Sequence, residues 1–149
     1  MNNKTSQNNE VMTREEIFEK IKEAIVCVAH IKDKEMIKME SRLITDLGLD
    51  SLDMLDLIFH LEKIFKIKLD PKEIAKRSRE KLGDRPFEKE GILTEDALIE
   101  LRKAMPEVPQ EELHSELLTK DLGKVFRVIT FVRIIEGIQI YKSQHKDEE

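Results

Sequence analysis

The sequence predicts an all-α protein, and three features of the chain support that prediction. Apolar residues recur at intervals of three and four along several segments, which is the spacing of one helix face. Capping residues, prolines and glycines delimit those segments. The few β-branched runs are short and are also explained as parts of helices. A bundle of helices is therefore the expected architecture.

The first predicted helix covers residues 13–31. Thr13 and Glu16 have the spacing of a capping box, in which each side chain accepts a hydrogen bond from the other residue's backbone N–H. Cys27 falls within the apolar stripe of this helix, so we expect its thiol to be buried as a small apolar group. The stripe consists of Ile17, Ile21, Ala24, Ile25 and Val28. Residues 1–12 are polar and are expected to form a disordered tail.

The second predicted helix covers residues 51–65 and follows a long connection. That connection, residues 32–50, is expected to hold a turn around residues 34–39. The helix contains neither glycine nor proline, and four of its apolar residues lie on one face. They are Leu57, Leu61, Ile64 and Phe65.

A third helix is predicted over residues 71–81, with Asp70 as its cap and Gly83 beyond its end. A fourth is predicted from Thr94, which can cap an acidic first turn, to Met105. The rest of the chain predicts, in order, a short turn at 109–112, a last helix over 119–141 and a frayed polar tail at 143–149.

Composition excludes several classes of function. The net charge of −5 argues against nucleic-acid binding, which needs a basic surface to displace counterions. No run of 18 apolar residues predicts a membrane span, and the polar N-terminus does not resemble a secretory signal. The one cysteine permits no internal disulfide, which fits a reducing compartment. We expect a monomeric cytoplasmic protein.

The most informative stretch runs from Asp46 to Asp53 and reads D-L-G-L-D-S-L-D. It places Ser51 just after a glycine turn and at the start of an apolar helix. Free backbone N–H groups and the helix dipole favour a phosphate at that position. The alternative is that Ser51 is a simple N-cap.

Other interpretations of the residues near Ser51 are weaker. The G-x-S-x-G pattern of a serine hydrolase is absent. The aspartates around Ser51 lack the spacing of a calcium loop, and the four histidines lack that of zinc ligands. We therefore expect neither a metal site nor a serine-hydrolase site.

The D-L-G-x-D-S-L-D pattern resembles that of the acyl carrier protein family, and residues 65–71 resemble the end of that family's second helix. The resemblance covers about residues 12–71. It implies that Ser51, flanked by Asp50 and Leu52, accepts 4′-phosphopantetheine from coenzyme A. A separate phosphopantetheinyl transferase would attach this group, and the protein would hold acyl groups as thioesters without a catalytic site of its own.

The resemblance also implies a docking surface for acyl-transfer or synthase enzymes. Leu52, Leu55 and Phe59 would form an exposed apolar strip beside the prosthetic group, although core packing explains Leu55 equally well. Acidic residues would border it, namely Asp50, Asp53, Asp56 and Glu62. The second half of this helix departs from the family in being partly basic, with His60, Lys63, Lys66 and Lys68. This indicates either a solvated face with charge pairs four residues apart or an altered set of partners.

Acyl chains in this family can fold back between the helices. The candidates to line such a pocket here are Leu57, Leu61, Phe126, Ile129 and Val132. A segment of about residues 77–117 has no counterpart in the usual family pattern. It is either a docking element for a dedicated partner or a lid over the last helix.

The sequence therefore predicts one acyl-carrier-like domain over residues 13–142, with a helical insertion. The expected function is a specialised acyl carrier in fatty-acid, lipid or polyketide-type synthesis. Two alternatives stay open: a peptidyl or aminoacyl carrier, and a carrier-like regulatory protein that acts through protein contacts.

Overall fold

The computed structural model describes residues 11–70 and 72–145, and its architecture is helical. The five α-helices are α1 (Arg14–Ala29), α2 (Ser51–Phe65), α3 (Lys72–Leu82), α4 (Glu95–Ala104) and α5 (Val128–Gln144). Three 3-10 segments lie at Lys34–Met36, Gln110–Glu112 and Thr119–Val125, and one small hairpin pairs β1 (Glu88–Lys89) with β2 (Ile92–Leu93). The all-α prediction is confirmed. In the described part of the chain, no helix is long and apolar enough to cross a membrane.

The predicted capping box starts α1. The Thr13 hydroxyl accepts a hydrogen bond from the Glu16 N–H at 3.1 Å, and the Glu16 carboxylate accepts one from the Thr13 N–H at 2.9 Å. The helix ends at Ala29, earlier than predicted, because His30 adopts a left-handed conformation with φ of 57°. The predicted tail is wrong for Met12, which packs on the core and donates its N–H to Gln139. Residues 1–10 lie outside the described residues.

The predicted burial of Cys27 is wrong. The thiol is exposed, and its Sγ lies 3.9 Å from Nε2 of His60 on α2. Each helical residue advances about 100° around the axis, so Cys27 lies roughly 200° from the fully buried Ile25. It therefore faces solvent beside the contact between α1 and α2, although it lies within an apolar sequence.

A single hydrophobic core extends through the described residues. Helix α1 packs against α2 and α5, while α3 packs against α4. The 77–117 segment contributes many of the buried side chains of this core: Leu82, Phe87, Leu93, Ala97, Leu98, Leu101, Met105, Val108, Leu113 and Leu117. The segment is thus continuous with the bundle in its packing.

The hairpin in this segment was not predicted from the sequence. Its strands are two residues each, too short to show an alternating pattern. Glu90 and Gly91 form the turn with φ values of 54° and 83°, a conformation that glycine adopts readily and glutamate rarely does. Backbone contacts outside the hairpin help hold it, since the Leu93 N–H donates to the Leu117 carbonyl.

The single last helix predicted over residues 119–141 is wrong. A 3-10 segment ends at Val125, Phe126 and Arg127 are extended, and α5 begins at Val128. The break lets the backbone pair with the loop before α2. The Leu43 N–H donates to the Phe126 carbonyl at 3.1 Å, and the Val128 N–H donates to the Ser41 carbonyl at 3.0 Å.

At its other end, α5 extends beyond the predicted boundary. Ser143 and Gln144 are helical, so the tail predicted over residues 143–149 is wrong for these two positions. Residues 146–149 lie outside the described residues.

Two carboxylates attach the 77–117 segment to the start of α5. Glu112 forms a bidentate ion pair with the buried Arg127, whose guanidinium also donates to the Val125 carbonyl at 2.8 Å. Glu107 accepts hydrogen bonds from the Thr130 hydroxyl at 2.7 Å and from Arg133 at 2.8 Å. The hydrogen bonds from Arg127 hold the pKa of Glu112 below its usual value.

We expect Arg127→Met to lower the free energy of unfolding by about 1–3 kcal/mol at pH 7, because it leaves the Glu112 carboxylate without its main partner. A carboxyl with a lowered folded-state pKa contributes stability above its unfolded pKa of about 4.3, and that stability is lost as the pH falls through the folded pKa. The difference between wild type and variant should therefore narrow on acidification.

Urea unfolding at pH 7 and at lower pH values measures this difference. Arg77→Met is the matched control, because Arg77 pairs with Glu73 at 3.7 Å on an exposed helix face and should contribute less than about 1 kcal/mol. If the difference in free energy of unfolding between wild type and Arg127→Met stays constant as the pH is lowered, the stabilising role assigned to the Arg127–Glu112 ion pair is wrong.

Candidate functional site

The loop before α2 is held by backbone hydrogen bonds between nearby residues and by two buried leucines. The N–H groups of Asp46 and Leu47 both donate to the Arg42 carbonyl, and the Leu49 N–H donates to the Leu43 carbonyl. Leu43 and Leu49 are buried in the core. Gly48 has a φ of 78°, which favours glycine because it lacks a Cβ. The loop thus delivers the chain to α2 in a defined position.

Asp50, not Ser51, caps α2. The Asp50 carboxylate accepts a hydrogen bond from the Asp53 N–H at 2.8 Å, and the Asp53 carboxylate accepts one from the Asp50 N–H at 3.1 Å. The two aspartates form a capping box, so the alternative in which Ser51 is only an N-cap is wrong. The Ser51 hydroxyl takes no part in the cap and is available for reaction.

Ser51 is the first residue of α2 and its side chain is exposed. Its hydroxyl makes no hydrogen bond to any other residue that the structure describes. The backbone N–H groups of Ser51 and Leu52 likewise have no acceptor among those residues, as expected for the first turn of a helix. A phosphodiester on the Ser51 oxygen would lie beside these donors at the positive end of the helix dipole. The site therefore fits 4′-phosphopantetheine.

An exposed apolar strip begins beside Ser51. Leu52, Leu55 and Phe59 are 72%, 53% and 59% exposed. They lie on the side of α2 away from the fully buried Leu57 and Leu61, so Leu55 does not pack in the core. Large apolar side chains that lie together on a protein surface are typical of interaction sites.

The aspartates around the strip have different surroundings. Asp50 and Asp56 are exposed, whereas Asp53 is half-buried and engaged in the capping box. Asp46 is bound by Arg42 through its side chain and backbone, and these hydrogen bonds lower the pKa of Asp46. The loop and the start of α2 thus present carboxylates next to apolar side chains.

Sequence reasoning missed the cationic residues near the loop. Arg42 precedes Asp46 by four positions, a spacing that could have indicated an ion pair. Arg127 and Glu112 carry no such local signal, because they are far from the loop in sequence.

The predicted acyl-pocket residues lie in or beside the core. Leu57, Leu61 and Val132 are fully buried, and Phe126 is nearly so. Ile129 is half-buried. Phe126 belongs to the extended segment before α5 and meets Phe131 edge-on, with ring centroids 6.3 Å apart. Within the described residues, no cluster of three or more His, Cys, Asp or Glu side chains could hold a metal ion.

Comparison with known proteins agrees with this geometry. The family model described as "Phosphopantetheine attachment site" matches residues 19–83, which include Ser51 and α2. The acyl carrier protein of Thermotoga maritima is 41% identical over 66 residues, covering 44% of this chain and 80% of the relative. That of Clostridium acetobutylicum is 47% identical over 62 residues, covering 42% of this chain and 79% of the relative.

A further relative, acyl carrier protein AcpXL of Rhizobium meliloti, is 48% identical over 52 residues. That match covers 35% of this chain and 54% of the relative. These matches each cover less than half of the chain, and the family model ends at residue 83, before the hairpin, α4 and α5.

The helical fold, the exposed serine at a helix start and the family match define a phosphopantetheine-bearing carrier. The chain belongs to the acyl carrier protein family and has an acyl carrier role. It bears a covalently attached 4′-phosphopantetheine group. Members of this family are carriers rather than catalysts, and they interact with phosphopantetheinyl transferases and synthase enzymes.

Proposed function

We propose that this protein carries acyl groups on a phosphopantetheine arm attached to Ser51 and presents them to enzymes of fatty-acid, lipid or polyketide-type synthesis. The observation that carries the proposal is the exposed Ser51 hydroxyl at the first position of α2, free of the capping role that Asp50 fills. When bound, the arm supplies a terminal thiol that holds the acyl group as a thioester.

Asp50 and Leu52 complete the attachment site. Asp50 fixes the start of α2 through the capping box, which orients Ser51 outward. The side chain of Leu52 is exposed next to Ser51 and can be contacted by the transferase. Ser51 itself needs no activation by this chain, because a separate transferase carries out the attachment.

The exposed strip is proposed as the docking surface for partner enzymes. Leu55 and Phe59 supply apolar contact area, while Asp53 and Asp56 supply charge that steers a basic partner. A carrier must bind several enzymes briefly, and a small apolar contact with a charged border suits that requirement. We place this activity in the cytoplasm and expect the protein to act as a monomer without a catalytic site.

Leu57, Leu61, Phe126, Ile129 and Val132 are proposed to contact a bound acyl chain. Because these side chains lie in or beside the core, an acyl chain would have to displace them in order to enter. Each methylene that leaves water contributes roughly 0.8 kcal/mol. Longer acyl chains should therefore stabilise the protein more, until the available space is filled.

The test uses apo protein, a broad-specificity phosphopantetheinyl transferase and acyl-coenzyme A substrates of increasing chain length. Intact mass should rise by one acyl-phosphopantetheine unit in each case, located by peptide mapping on the peptide that contains Ser51. The melting temperature should rise with chain length relative to the unacylated holo protein.

The two measurements separate the parts of the proposal. If no competent transferase adds mass, the carrier function on Ser51 is wrong. If mass is added but the melting temperature does not depend on chain length, the carrier function stands and the acyl pocket is wrong. Loading by an aminoacyl-adenylating enzyme in place of an acyl-transfer enzyme would support the peptidyl-carrier alternative.

A further inference from the structure

Four alternating charges connect the 77–117 segment to the loop before Ser51. Arg42 bonds to Asp46 of the loop, with Nη2 and Oδ1 3.1 Å apart. Its other terminal nitrogen lies 3.9 Å from Oε2 of Glu112. Glu112 in turn pairs with the buried Arg127, whose Nη1 lies 2.9 Å from Oε1. Glu112 therefore lies between the two arginines that flank the loop.

The backbone connects the same parts of the molecule. Leu43 hydrogen-bonds to Phe126 and Ser41 hydrogen-bonds to Val128, the residues on either side of Arg127. Leu43 then accepts a hydrogen bond from the Leu49 N–H, next to Asp50. A displacement of Arg127 would thus reach the start of α2 through the main chain as well as through the charges.

We propose that Glu112 is a positioning residue for the prosthetic-group site. By holding Arg127 and Arg42 in place, it fixes the loop at residues 42–49 and thereby the orientation of Ser51 toward an incoming transferase. The inference rests on the proposed role of Ser51. Glu112 lies in the 77–117 segment and outside the region that matches the family model. The positioning of the loop by Glu112 is therefore a contribution of that segment.

Glu107 provides a matched comparison within the same segment. Its side chain is 8% exposed, and its partners Thr130 and Arg133 both lie on α5. Glu107→Gln weakens the attachment of the segment to α5 and leaves the contacts of Arg42 in place. Glu112→Gln removes the negative charge between the two arginines. The two variants therefore differ in their connection to the loop.

The first measurement is hydrogen exchange of the Leu47, Gly48 and Leu49 amides by NMR on the full chain. We expect Glu112→Gln to speed exchange at these amides by roughly threefold to tenfold relative to Glu107→Gln, which should behave like wild type there. The second measurement is kcat/KM for phosphopantetheine transfer from coenzyme A, which should fall by a similar factor in Glu112→Gln alone.

A double variant tests the path through Arg42. Arg42→Gln should also speed exchange in the loop, and Glu112→Gln added to it should have less effect than it has alone, because the two residues act through one network. If Glu112→Gln does not fold, Glu112→Asp replaces it, since it keeps the charge but shortens the reach to both arginines.

The outcomes distinguish this inference from the proposed function. Equal loop exchange in the Glu112 and Glu107 variants, or additive effects of Glu112→Gln and Arg42→Gln, would overturn the positioning role. If wild-type protein is not modified on Ser51, the proposed function is wrong, and exchange in the loop still decides whether Glu112 holds it.

Discussion

Replacing Ser51 with alanine is expected to abolish phosphopantetheine attachment completely. The hydroxyl oxygen of Ser51 is the atom that would form the phosphodiester, and alanine offers no substitute. The mass increase of wild-type protein in the presence of coenzyme A and a transferase should be absent in Ser51→Ala. Because Asp50 rather than Ser51 caps α2, the variant should keep its helix and its melting temperature should change little.

Ser115→Ala is the matched control, since Ser115 is also exposed but lies outside the region that matches the family model. It should accept the prosthetic group as wild type does. Circular dichroism establishes that both variants are folded. A full mass increase in folded Ser51→Ala protein would show that another residue carries the group and would refute the site assignment.

Replacing residues 84–117, the part of the 77–117 segment that lies beyond the family-model match, with a short Gly/Ser linker is expected to unfold the protein at 25 °C. The segment buries several large apolar side chains in the common core, including Leu98, Leu101 and Met105. Each contributes about 1.5–3 kcal/mol on burial. Together they account for much of the free energy of unfolding of a typical domain, which is about 5–15 kcal/mol. Circular dichroism and urea titration should show no cooperative transition.

Two single substitutions grade this effect. Leu101 is fully buried, so Leu101→Ala should lower the free energy of unfolding by about 2–5 kcal/mol. Ile99 on the same helix is 41% exposed, and Ile99→Ala should cost less than about 1 kcal/mol. If the linker variant instead folds cooperatively, accepts the prosthetic group and fails only with its own acyl-transfer enzyme, the segment is a docking element.

The charge network adds a second reason to expect a structural role for the segment. Glu107 and Glu112 both bind residues at the start of α5, and Glu112 also lies near Arg42 of the loop before α2. A segment that packs in the core and borders the functional site can still expose a face to a partner. Its removal would nevertheless affect Ser51, because it would destabilise the protein and loosen the loop before α2.

Local features were predictable from the sequence because the bonds that create them join residues close in the chain. The bounds of α2, the capping box of Thr13 and Glu16, and the cap at Thr94 each depend on residues three or four positions apart. The identity of the chemistry was predictable for the same reason, since the residues around Ser51 form one continuous motif.

Burial on a helix was less predictable where two faces were similar in composition. Cys27 lies between apolar neighbours, and an angular difference of roughly 200° from Ile25 decides that it is exposed. Leu55 was ambiguous for the same reason. The packing partners of α1 and α2 decide which side chain is covered, and a sequence pattern gives only the period.

The sequence by itself determined that this chain has helices, where α2 begins, and which serine stands at its start. The tertiary structure alone decided that the last helix is interrupted at Phe126 and Arg127, because the competing hydrogen bonds come from Ser41 and Leu43, more than eighty residues away. It also decided that Glu112 lies between Arg42 and Arg127. Such contacts depend on how distant segments pack together, and no periodicity within either segment encodes them.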